Sequence, residues 1–169
     1  MTVQIRFLAV LFSIAMGAGA SSSAQTAASA DGMDTLISFG EVMAVEASRV
    51  GSPPNPDVFL PGVTSPPVLG QTWDPVIDHT EFVPDAGSDF LILTPSPANL
   101  DLGLPGTLLC GSPVLAMLVP AIAPGAPFPV SIPDDIHLAG LELCAQAGSS
   151  TDGVTFRLTN ALDITIGTH

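Results

Sequence analysis

Every one of the 17 prolines lies between Pro53 and Pro133. Proline locks its own backbone and has no N–H to give, so it breaks a helix interior and cannot sit in the middle of a ladder. The distribution divides the chain into three zones. Residues 31–50 are proline-free; 51–68 hold six prolines in GSPPNPDVFLPGVTSPPV; and from Leu69 onward short apolar runs alternate with Gly/Pro turns. No long helical period runs through the third zone. Its spacing predicts an all-β fold, an antiparallel β-sandwich of immunoglobulin-like or jelly-roll-like type.

The predicted strands follow from local patterns. Phe90-Leu91-Ile92-Leu93 reads as a core strand between Gly87-Ser88 and Pro95. Thr107 to Cys110 follows a Pro-Gly turn, and an apolar run from Val114 to Val119 is bounded by Pro113 and Pro120. Phe128, Val130 and Ile132 alternate with Pro129, Ser131 and Pro133, the pattern of an edge strand. Leu141, Leu143 and Ala145 alternate with Glu142, Cys144 and Gln146. Near the end Val154, Phe156 and Leu158 alternate with polar residues, and the alternation shifts frame at Asn160-Ala161 before resuming at Leu162, Ile164 and Ile166. Such a shift inside a strand pattern implies a bulge or a tight turn. Residues 31–50 are compatible with a short helix or an irregular first strand, and 51–68 reads as an extended connector. Trp73 reads as a core residue opening the first sandwich strand, with an indole N–H that needs a buried partner.

The N-terminus carries an address. Residues 1–30 hold one base, Arg6, and no acid; the apolar run from Phe7 to Met16 gives way to small residues. This is the pattern of a secretory signal, and the run is too short to cross a bilayer. Cleavage is expected after Ala24, with Ala20 and Ala30 as alternative sites. The expected organisation is therefore a signal peptide over 1–24, an N-terminal segment over 25–50, a connector over 51–68 and a β-sandwich domain over 69–169. The expected location is secreted, periplasmic or cell-surface, and the chain is not expected to be transmembrane. Export gives the two cysteines, Cys110 and Cys144, an oxidising environment in which an even count suggests one disulfide; two buried free thiols are the alternative.

Charge narrows the partners. Sixteen acids face three bases, all arginines, for a net charge of −13. No clustered Lys/Arg exists to grip nucleic acid or anionic lipid. With 47% hydrophobic and only 11% charged residues, the chain is not a solvated acidic tail.

Four segments together resemble a recurring secreted bacterial domain: VLGQTWDPVID, PGTLL, SIPDDIHLAGLELCAQ and FRLTNALDITIG. The resemblance rests on a Gly-x-x-Trp opening at 70–73, the I-P-x-x-x-x-L-x-G-x-x-L-x-x-Q segment at 132–146 and the closing strand at 158–167. It covers 68–167. It implies a C-terminal-type or standalone exported β-sandwich of unknown function, and it transfers no activity. Where members of that group often carry an aromatic two residues before the glutamine, this chain has Cys144, a departure that fits a disulfide with Cys110.

Catalytic signatures are scarce. The chain has no G-x-S-x-G, H-E-x-x-H, Walker, G-x-G-x-x-G or C-x-x-C motif. His137 follows Asp134-Asp135, which reads either as a metal-ligand cluster or as a turn with solvated acids. The richest polar segment holds Asp74, Asp78, Glu81, Asp85 and Asp89 with His79 among them. Hard oxygen ligands in loops suit calcium, so Asp74, Asp78, Asp85 and Asp89 form the candidate metal set; the alternative is solvated turn acids. No cofactor is expected beyond possible calcium. The expected function is a non-enzymatic surface, envelope or adhesion-type interaction module, whose partner is a protein or a cell-envelope or extracellular polysaccharide. The alternatives are a calcium- or glycan-binding module built on 74–89, and a secreted hydrolase using paired carboxylates.

Overall fold

The computed structural model describes residues 40–119 and 123–169; the signal-peptide expectation and most of the N-terminal segment lie outside them. In chain order the strands are β1 (Val45–Arg49), β2 (Phe59–Leu60), β3 (Thr72–Trp73), β4 (Val76–Ile77), β5 (Ser88–Thr94), β6 (Pro97–Asp101), β7 (Thr107–Cys110), β8 (Ala116–Leu118), β9 (Val130–Ser131), β10 (Glu142–Ser150) and β11 (Phe156–Thr165). One 3₁₀ turn, Ile136–Leu138, is the only helical element among the described residues. Each named strand pair is antiparallel, so the all-β, antiparallel expectation holds.

The frame is a five-stranded sheet in the order β1-β11-β10-β5-β8. Three two-stranded ladders accompany it: β2-β4, β3-β9 and β6-β7. On the first face of the sheet Leu91, Leu93, Ala145, Ala147, Leu162 and Ile164 form the main core with Phe59, Trp73, Ile77 and Phe128. The opposite face carries a second, smaller cluster: Cys144 and Ala161 from the sheet packed with Leu109 and Cys110 of β7. The sheet is thus covered fully on one side and in part on the other. This explains why β10, LCAQAGSS after its first residue, is almost continuously buried and made of small side chains. A strand with neighbours above and below has room for little else.

Residues 31–50 supply β1, an edge strand paired residue for residue with β11 from Val45↔Thr165 to Arg49↔Ala161. The stretch read as a connector is built into the fold: β2 lies inside it and pairs with β4, and at its end the Gly167 N–H donates to the Pro67 carbonyl while the Leu69 N–H donates to the Gly167 carbonyl. Its prolines keep it from being a central strand, while buried Phe59 and Asn55 anchor it. Trp73 is fully buried, and its indole N–H donates to the Glu46 carboxylate at 2.6 Å, the partner that burial demands. The same carboxylate oxygen accepts from the Gly62 N–H at 2.8 Å, so one acid of β1 ties down two later segments.

The frame shift near Asn160 is a β-bulge. Gln146 faces Ala161 but Gly148 faces Leu158, so β11 carries one extra residue between these pairs. The bulge frees polar groups that buried amides then satisfy. The Asn55 and Gln146 side-chain NH₂ groups each donate to both the Thr107 and the Thr159 carbonyls, at 2.7 Å from Asn55 and 2.9 Å from Gln146. Their oxygens accept from the Thr107 N–H (2.7 Å, to Asn55) and the Leu109 N–H (2.8 Å, to Gln146). Asn160 turns to the main-core side, accepting from the Val58 and Phe59 N–H groups and donating to the Phe59 carbonyl. Gly106, at φ 106°, lets the chain pass here, because a Cβ would meet Asn55 Oδ1 at 2.7 Å.

Two further links fasten the β6-β7 ribbon. Cys110 and Cys144 form a disulfide with 5.5 Å between their Cα atoms. The Arg49 guanidinium makes a two-pronged pair with Asp163 at 2.7 and 2.9 Å and also donates to the Ala98 and Leu109 carbonyls. The disulfide closes a loop of 34 residues in sequence separation, for which the chain-entropy estimate is about 3–4 kcal/mol. Thiol titration of the denatured, unreduced protein is expected to find no free thiol, and reduction to lower the melting temperature. Gln146→Leu keeps the volume but strands the buried Leu109 N–H, and urea unfolding is expected to show a loss of about 2–3 kcal/mol.

Candidate functional site

The acidic segment is spread over several loops. Asp74 accepts from the Thr64 N–H at 2.9 Å and the Thr64 hydroxyl at 2.7 Å, stapling the loop before β3. Burial works against its charge, but these bonds and those from Ser65 and Val63 outweigh it and lower its pKa. Asp78 accepts from the hydroxyl and N–H of Thr80, at 2.6 and 2.9 Å, and these bonds lower its pKa too. Asp85 is exposed at a turn. Asp89 is buried. Of the four candidate ligands, Asp74 and Asp78 are thus bound to their own loops, Asp85 is exposed and Asp89 lies buried in β5. Among the described residues no three His, Cys, Asp or Glu side chains are grouped closely enough to hold a metal ion. Asp135 acts as the turn reading expects, its side chain capping the 3₁₀ turn by accepting from the His137 N–H at 3.0 Å.

Asp89 is the exception among the acids. Its side chain has no solvent exposure, and that of His79 has 16%. His79 Nε2 lies 3.0 and 3.1 Å from the two Asp89 oxygens, and Nδ1 lies 2.8 Å from the Phe82 carbonyl. Both ring nitrogens thus face acceptors, which suits the doubly protonated imidazolium. The Asp89 carboxylate also accepts from the Ser149 hydroxyl at 2.7 Å and the Gly125 N–H at 2.8 Å. Ser149 is fully buried and donates to the carboxylate, so this trio does not present a serine to an imidazole base. Its work is to hold the 79–88 loop and the 125 turn onto β5 and β10.

The second feature is an apolar groove on the partly covered face of the sheet, beyond the end of the β6-β7 ribbon. It has a volume of about 490 Å³, within the range of about 300–1,000 Å³ usual for ligand sites. Phe90 and Ile92 of β5 line it, with Phe156 and Leu158 of β11, Met117 of β8, Leu108 of β7, and Leu102, Val119 and Val154 from the adjoining loops. Gly148 makes this lining possible: it lies opposite Phe90 on the neighbouring strand, and a Cβ there would collide with the Phe90 ring. The ring meets Phe156 edge-to-face at 6.0 Å between centroids. Asp89 borders the groove by its backbone position, but its carboxylate is committed to His79 on the other face. The groove presents hydrocarbon without a charged group aimed into it.

Sequence reasoning looked to the acids and missed this groove. The signal was present in Phe90-Leu91-Ile92-Leu93: four apolar residues in a strand supply two apolar faces, and the main core uses only Leu91 and Leu93. Compared with known proteins, the chain matches no family model, no curated protein and no solved structure.

The His79–Asp89 pair makes stability depend on pH. Burial, the largest single influence on His79, disfavours its charge, but the bonds to Asp89 and Phe82 and the Asp89 charge together raise its pKa above the ordinary value. A raised folded-state pKa gives stability that is full below about pH 6.5, the unfolded value, and is lost as pH rises through the folded value. Thermal unfolding from pH 6 to pH 9 is expected to show a falling melting temperature, with a flatter profile in His79→Gln. Parallel profiles would count against the charged pair.

Proposed function

We propose that the protein is an exported, non-enzymatic β-sandwich that acts as an interaction module at the cell surface or envelope, with a protein as its partner. The observation that supports this reading best is the apolar groove. It is an uncharged, open surface on a chain that carries −13, and exposed apolar concavities of this kind mark binding sites. The disulfide is compatible with an oxidising compartment. No helix among the described residues is long and apolar enough to cross a membrane. The resemblance to exported bacterial β-sandwich domains points the same way.

A protein partner is favoured over a polysaccharide by the lining. Sugar sites combine a flat aromatic face with hydroxyl-binding polar groups, whereas this groove is lined mainly by Phe, Leu, Ile, Val and Met, with Ser88, Asp89 and Ser150 as its polar lining residues and the Asp89 carboxylate bound to His79. The test is retention of the mature protein on immobilised envelope proteins and, separately, on envelope polysaccharide. Retention is expected on the protein fraction alone, and Met117→Asp with Val154→Asp should reduce it at least about tenfold, a loss of about 1.4 kcal/mol. Both positions are exposed, so the fold should persist in the double variant. Retention on polysaccharide that the double variant leaves intact would overturn the reading.

A further inference from the structure

We infer that β8 is a docking edge at which an extended, basic-flanked segment of a partner protein adds a sixth strand to the sheet and lays alternate apolar side chains beside Met117, at the margin of the groove. This rests on the reading of the protein as an interaction module and names the chemistry of its partner.

The first support is the open backbone. β8 ends the strand order, and among the described residues its ladder is with β5 alone: Leu91↔Leu118, Ile92↔Met117 and Leu93↔Ala116. Half of the backbone N–H and C=O groups of such an edge strand point outward, and the groups that match them in spacing belong to another strand.

The second support is the absence of charge from this edge. Edge strands are ordinarily blunted by shortness, prolines, charges or covering segments; β8 is short and lies between Pro113 and Pro120, but it carries neither a charge nor, among the described residues, a second strand. The opposite edge of this sheet obeys that rule: β1 carries Glu46 and Arg49, and Glu46 holds Gly62 and Trp73 against it. The segment 111–119, GSPVLAMLV, contains no charged residue. Leu115, Met117 and Val119 are each more than half exposed. The three residues of β8, Ala116–Leu118, offer a template about 10 Å long at the usual strand rise.

The third support is the position of the groove. Met117 lies opposite Ile92 and therefore shares its face of the sheet, the face that bears Phe90 and Phe156. A strand added outside β8 would place every second side chain beside Met117, extending this apolar surface, while its other side chains faced away. Strand addition gains affinity from the backbone and selectivity from alternate side chains, and here the selected side chains are apolar.

Charge decides the occupant. Asp101 precedes Leu102 and Asp152 precedes Val154 by two residues, so acids flank the groove lining. Arg157, the nearby base, is turned onto the Phe82 ring, 5.9 Å from its centroid. A second copy of the chain would bring another −13 to the same edge, whereas lysine or arginine flanks on the added strand complement it.

The experiment titrates the mature protein with a synthetic peptide alternating valine and threonine between paired lysines. Saturable binding is expected, with slowed amide exchange confined to β8 and its flanks. Met117→Lys, N-methylation of alternate peptide amides, and replacement of the peptide lysines by glutamates should each weaken binding at least about tenfold. High salt should weaken it as well. Absence of binding, or binding indifferent to N-methylation and to Met117→Lys, would overturn strand addition. Concentration-dependent self-association abolished by Met117→Lys would overturn the choice of partner in favour of a second copy. Either result leaves the interaction-module reading to the envelope-retention test, so the two can fail separately.

Discussion

The extra residue in β11 is the constraint on which the rest of the structure turns. A bulge breaks a ladder, and in the middle of a sheet buried on both sides the freed groups cannot turn to water. The Thr159 carbonyl accepts from both the Asn55 and the Gln146 amides, and these amides are themselves completed by the Thr107 carbonyl and by the N–H groups of Thr107 and Leu109. The bulge thereby couples β11, β10, the chain before β2, and β7. No buried side-chain polar atom among the described residues is left without a partner. A half-completed network of this kind would be worse than an apolar core, so its members hold one arrangement.

That coupling also decides where the β6-β7 ribbon lies. The amides, the Cys110–Cys144 disulfide and the Arg49–Asp163 pair all act at the same end of the second face of the sheet. The ribbon covers that end and stops. The other end, where Gly148 lets the Phe90 ring lie across the neighbouring strand, stays open and becomes the groove. The groove and the buried amide network are thus consequences of one asymmetric covering. His79 and Asp89 work on the first face of the same strand, β5, and keep the loop there closed.

Local pattern made much of the architecture readable. Alternation in Phe156 to Leu158 and again in Leu162 to Ile166 marked β11, and the slip between them marked its bulge. Proline placement identified short strands and turns, and cysteine count suggested the disulfide that is present. The acids were harder to read. A carboxylate in a turn looks the same in sequence whether it binds an ion, caps its own loop as Asp74, Asp78 and Asp152 do, or is buried against a histidine as Asp89 is. Spacing in the chain does not report which backbone N–H groups come within reach.

Strand content, antiparallel order and the oxidised cysteine pair follow from residue-level preferences that act over a few positions or from a count that allows one pairing. The joining of 51–68 to the sheet, the partners of the buried amides and the open end of the second face depend on contacts between residues far apart in the chain. Asn55 and Thr159, 104 positions apart, illustrate the difference. Neither residue carries a local signal of the other, and only the packed sheet brings the amide to the carbonyl. The same holds for the groove: Phe90 and Ile92 are apolar by sequence, but which apolar residues are covered and which remain exposed is settled by where the ribbon ends.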